Sequence, residues 1–229
     1  MLKASLRRLL IATVALLLPA MAVHAEDPPL VRAQNSVRVL KEIMQAPDKS
    51  VPSDLLKEAK AIAVIPDVLK VGFVFGGRRG EGLISVKGPD GTWSNPSFVT
   101  ITGGSIGFQA GVSSTDLVLV FRTQRGVDGI VNGKFTIGAD AAAAAGPVGR
   151  NAAASTDSQM KAEIYSYSRS RGLFAGVALD GAALRIDYDA NSAIYGAGVT
   201  PRRIFEGGVH DVPAPVVSFR DSLEEYTQR

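Results

Sequence analysis

Apolar residues first recur at helical spacing. Leu30, Ala33, Val37, Leu40 and Met44 fall three or four apart, with Val39 and Ile43 widening the stripe. Arg38, Lys41, Glu42 and Gln45 take the other side, and Pro47 cannot continue a helix. This spacing predicts a helix over 30–46. Ser53, Asp54 and the run from Leu55 to Lys60 predict a second, shorter one. The pattern then changes to short β-branched and aromatic runs separated by glycine: 61–65, 68–75, 82–86, 93–101, 105–110 and 117–122. Pro66 is expected to stop the first of these, and Gly88-Pro89-Asp90-Gly91 marks a turn. Residues 134–137, 162–168, 173–179 and 183–188 extend the strand series. Residues 124–132, 189–195, 201–205 and 216–227 carry helical patterns.

Strands at this spacing, with glycine inside several of them, predict a strongly curved antiparallel sheet or barrel-like core. Helices at both chain ends make the fold α+β. The first 25 residues read differently. Lys3, Arg7 and Arg8 precede an apolar run from Leu9 to Leu18, and Val23-His24-Ala25 suits signal peptidase. The expected organisation is a signal peptide over 1–25, a linker over 26–29 and one domain over 30–229. Export to the periplasm follows, with peripheral membrane attachment as an option.

That segment alters the charge argument. The chain has 25 basic and 22 acidic residues, and Lys3, Arg7 and Arg8 account for the whole excess. A mature chain is neutral, so bulk charge gives no argument for nucleic acid. There is no cysteine, and His210 is the one histidine outside the leader. Few zinc sites or histidine-driven schemes survive that count. No metal or cofactor is expected.

Four stretches could carry chemistry. Gly103-Gly104-Ser105-Ile106-Gly107 fits the nucleophile-elbow pattern, with His210 as the one available base, but the residues after it read as strand. Gly77-Arg78-Arg79-Gly80 is either a solvated hairpin turn or an anion nest. Gly146-Pro147-Val148-Gly149-Arg150, after five alanines, is either a close-packed connector or a loop presenting Arg150. The spread aspartates form no calcium loop, and a carboxylate pair for hydrolysis is left open.

Taken together, the ordered blocks resemble the SYLF domain family. They include Ala59-Lys60-Ala61-Ile62-Ala63-Val64-Ile65-Pro66, Lys70-Val71-Gly72-Phe73, Gly104-Ser105-Ile106-Gly107-Phe108-Gln109, Ser114-Thr115-Asp116-Leu117-Val118, Gly146-Pro147-Val148-Gly149-Arg150 and Gly172-Leu173-Phe174-Ala175-Gly176. The resemblance implies a non-enzymatic domain that binds anionic phospholipid, with a phosphoinositide-like headgroup in eukaryotic relatives. Those relatives are also associated with cortical actin, an implausible partner for an exported chain. Lys70, Arg78, Arg79 and Arg150 are the candidate headgroup ligands. Leu30, Val37, Arg38, Leu40, Lys41 and Met44 are the candidate membrane contacts of the first helix. Two rivals stay open: a structural or protein-binding envelope component, and a hydrolase using Ser105 or a carboxylate pair.

Overall fold

The structure, a computed structural model, describes residues 28–46, 50–72, 75–106, 111–132, 134–147, 162–170, 173–175, 179 and 181–228. The expected leader over 1–25 and Arg150 lie outside these residues.

Pro29 opens helix α1 (Pro29–Met44) at the position where a missing N–H costs nothing. Helix α2 (Ser53–Glu58) leads into the long strands β1 (Ala61–Gly72) and β2 (Phe75–Val86), then β3 (Ser97–Ile106) and β4 (Gly111–Phe121). Helix α3 (Gln124–Val131) precedes β5 (Lys134–Thr136), β6 (Ala143–Ala145), β7 (Ile164–Ser170), β8 (Leu173–Ala175) and β9 (Ala183–Ile186). Helices α4 (Tyr188–Tyr195), α5 (Pro201–Phe205) and α6 (Ala214–Thr227) complete the order. The nine strands form one sheet ordered β5-β9-β3-β2-β1-β4-β7-β6, with β8 on β7. Every pairing is antiparallel except β6 with β7.

The two ends of that order, β5 and β6, are joined by a short turn in which Ile137 bridges Ala141. A connection this short draws the two edges together, so the sheet curls into a half-barrel. Its inner face carries Ala63, Ile65, Ile101, Leu119, Phe121 and Leu184, and Val127 and Ile130 of α3 fill the hollow. Phe121 and Phe135 meet there edge to face, with centroids 5.9 Å apart. Ile62, Val64, Leu83, Phe98, Val118 and Tyr167 point the other way, against α1, α2 and α6. The α+β architecture with helices at both chain ends is as the sequence predicts.

Several expected strand boundaries differ: β2 and β4 begin at Phe75 and Gly111, well ahead of the expected 82 and 117, and β9 ends at Ile186. Residues 61–65 and 68–75 are largely one strand, because Pro66 sits in a bulge rather than at a strand end. Asp67 there holds a φ of +48°. Its N–H donates to Asp116 Oδ1 at 3.1 Å, and Ser114 Oγ donates to Asp67 Oδ1 at 3.0 Å. A proline lacks the ladder N–H, and a bulge is where a strand tolerates that. Residues 97–106 likewise form one strand. Trp93 precedes it as an isolated bridge to Lys87, and its indole Nε1 donates to Thr227 Oγ1 at 3.0 Å, tying α6 to the sheet.

Candidate functional site: a cationic end of the sheet

The bulge decides where the basic residues go. Along β1, Ile62 and Val64 face the helices. An unbroken alternation would send Lys70 to that side as well. The extra residue between Ile65 and Val68 reverses the alternation, so Val68 joins the inner cluster and Lys70 follows it. Lys70 is in direct register with Arg78 of β2 and with Ser113 of β4. Arg78 is in turn opposite Gly103 of β3. One row across four strands therefore reads Gly103, Arg78, Lys70, Ser113 on the inner face. Partial burial lowers the pKa of the Arg78 guanidinium from its usual value.

Arg79 belongs to the other face. Consecutive strand residues point oppositely, and Gly77-Arg78-Arg79-Gly80 lies within β2 instead of forming a hairpin turn. The extended backbone commits its N–H groups to sheet ladders, so they do not converge as a nest would require. Arg79 donates to Glu81 Oε1 at 3.2 Å and lines a small recess with Arg32, Asn35, Pro66 and Asp67. The candidate headgroup set thus divides. Lys70 and Arg78 are neighbours, and Arg79 is across the sheet from them.

The first helix is mostly committed to the core. Arg32, Ala33, Ser36, Val39, Leu40 and Ile43 form its buried side, and Leu40 is 1% exposed. Val37 and Met44 pack partly against the same cluster. Leu30 and Val31 at its first turn are 40% and 39% exposed. Arg38 and Lys41 are exposed, and Arg38 donates to Glu42 one turn on. Arg169 of β7 also pairs with Glu42.

Arg32 is the residue that the periodicity argument overlooks. It is 3% exposed. Its Nη1 donates to Asp187 Oδ2 and its Nη2 to Glu81 Oε2, both at 2.6 Å. The guanidinium carbon lies 5.6 Å from the Phe98 ring centroid. Asp187 also caps α4 by accepting from Ala190 N–H at 3.0 Å. One cation therefore locks α1 to β2 and to the start of α4. Its spacing held a signal: Arg32, Ser36, Leu40 and Ile43 are four, four and three apart, so the buried stripe lies one residue away from an all-apolar choice.

The described part of the elbow pattern, Gly103 to Ile106, lies inside β3, and Gly107 is outside the described residues. His210 is exposed, between α5 and α6. Among the described residues no three His, Asp or Glu side chains gather as a metal site, and no helix is long and apolar enough to cross a membrane.

Fold and site together define a mixed α+β protein organised round one curled sheet with a cationic strand end. The chain belongs to the Ysc84 family, described as "Las17-binding protein actin regulator", which matches residues 102–226. This agrees with the SYLF resemblance read from the sequence blocks. LAS seventeen-binding protein 3 of Saccharomyces cerevisiae is 40% identical over 176 residues, covering 76% of this chain and 38% of that protein. SH3 domain-containing YSC84-like protein 1 of Homo sapiens is 32% identical over 205 residues, covering 86% of this chain and 59% of its own. The chain thus spans less than two thirds of the length of these relatives.

Proposed function

We propose that the protein binds an anionic phospholipid surface without chemically altering it, and that it does so from the periplasmic side after export. The observation that supports this most is the register of Lys70 against Arg78, two cations on adjacent strands of one face. A guanidinium offers paired donors to phosphate oxygens and an ammonium adds a mobile point charge. Each cation near an anionic membrane contributes about 1 kcal/mol, weakened by salt. Headgroup identity sits below this level, since neither residue reads anything but phosphate. Co-sedimentation of residues 26–229 with vesicles tests the reading. Pelleting with phosphatidylglycerol and not with phosphatidylcholine supports it. Equal binding to both, or to neither, refutes it.

A second reading has its own support. The family description and the name of the yeast relative refer to Las17 binding and to actin regulation. They lend no support to setting actin aside as a partner, so a protein-binding role for the same domain stands as the alternative. Pelleting of the purified domain with filamentous actin, in the absence of vesicle binding, favours it.

A further inference from the structure

Beyond α1 the four central strands continue as a tip whose described side chains are mostly exposed. It comprises residues 69–72, 75–79, 102–106 and 111–114 in the order β3-β2-β1-β4. On the helix side of this tip Val71 and Val112 are direct register partners and are 46% and 66% exposed. The same row continues through Gly77 to Gly104.

Those two glycines differ from their neighbours. A side chain at Gly80 would strike Val68 and Ile65, one at Gly82 the Val64 carbonyl oxygen, and one at Gly103 the Ala182 backbone. These three are small because the fold has no room. A Cβ on Gly77 or Gly104 would meet nothing within 4 Å, and neither holds a positive φ. Glycine weakens a strand interior. At these two positions neither packing among the described residues nor a positive φ calls for glycine, and a bare backbone there leaves room for a close approach from outside.

We propose that the tip enters the lipid interface end-on, the helix-side row Val112–Val71–Gly77–Gly104 meeting the acyl boundary while Lys70 and Arg78, on the opposite face of the same tip, reach the phosphates. This rests on the anionic-lipid reading above and names the surface that performs it. Three features favour a lipid surface as the occupant. The charged residues of the tip are Lys70, Arg78 and Arg79, with no acidic residue in those segments. The middle of the row is already hydrogen-bond competent, because Val71 pairs with Gly77 and Val112, and Gly77 also pairs with Gly104. Backbone paired on both sides can leave water cheaply, which the hydrocarbon boundary demands. The row also presents only aliphatic groups and bare backbone, with no polar side chain to desolvate.

The absence of cysteine allows a direct test. Val71→Cys, Val112→Cys, Lys41→Cys and Ser218→Cys each receive an environment-sensitive fluorophore and are mixed with phosphatidylglycerol vesicles. The expected result is a blue shift at positions 71 and 112 and none at 41 or 218. The unlabelled Val71→Asp/Val112→Asp variant, with an unchanged melting temperature, should bind these vesicles about tenfold more weakly. Vesicle pelleting with no shift at 71 and 112 overturns this inference and leaves the lipid reading standing. No pelleting at all removes both. A shift without vesicles that grows with protein concentration also overturns it, by assigning the row to a second copy of the chain.

Discussion

Arg32→Met is the most informative single perturbation of the fold. Methionine keeps the unbranched stem in its place beneath α1 and deletes the charge. What remains is Asp187, 13% exposed and stripped of its cation, and Glu81, 12% exposed and left with only the exposed Arg79 beside it. Breaking a buried pair from one side costs about 3–5 kcal/mol, because the surviving partner stays desolvated. The cation–π contact with Phe98 adds about 1 kcal/mol of its own, while the Nε of Arg32, buried without a partner, offsets part of the native gain. A loss of about 3–4 kcal/mol is therefore expected, or about 10 °C in melting temperature for a domain near 200 residues. Urea unfolding followed by far-UV circular dichroism measures it. Combining Arg32→Met with Glu81→Gln and Asp187→Asn should recover most of the loss, since the stranded charges are then gone. A loss below 1 kcal/mol for Arg32→Met alone, or no recovery in the triple variant, would refute the account of α1 as ion-locked.

Three further outcomes follow from particular positions. Leu40→Ala should cost about 2–5 kcal/mol in urea unfolding, as for a buried leucine, while the folded fraction keeps its vesicle affinity; a membrane role for Leu40 predicts the reverse. Gly82→Ala places a Cβ 2.1 Å from the Val64 carbonyl oxygen and should destabilise by more than about 2 kcal/mol, whereas Gly77→Ala, with open space, should be neutral or gain about 0.5 kcal/mol in the same assay. Burial raises the Asp116 carboxyl above the usual carboxylate range, against the hydrogen bond from Asp67 N–H. A raised folded-state value gives stability that is present below the unfolded pKa of about 3.9 and is lost as pH rises through the raised value. Asp116→Asn should accordingly gain on the wild type between about pH 4 and pH 7 in melting temperature; a constant difference across that range would contradict the assignment.

Much of this architecture was legible in the chain, and the exceptions have physical causes. Helical spacing located α1 and α6, and the alternation of β-branched residues located the long strands, because both periods reflect which face is buried. Pro66 was misleading: proline ends most strands, yet at a bulge its missing N–H leaves no ladder position unfilled. That one extra residue also determines whether Lys70 joins Arg78, and no local pattern announces it. Arg78 and Arg79 looked like one cationic pair in sequence. Recognising Gly77 to Gly80 as strand interior would have separated them at once. The ion lock could not be read locally, since Arg32 and Asp187 are 155 positions apart. The glycines show the same limit. Gly77, Gly80, Gly82 and Gly104 look alike in the sequence, and only the surroundings separate those the fold requires from those it does not.

The central claim, that the bulged strand end and not the first helix meets the anionic surface, is tested most directly by comparing two charge reversals in one titration. Lys70→Glu/Arg78→Glu and Arg38→Glu/Lys41→Glu each shift the net charge equally, so long-range attraction changes alike. Against phosphatidylglycerol vesicles at moderate salt, the first pair should lose affinity by about tenfold or more beyond the second. Equal losses, or a larger loss from the helix pair, would contradict the account.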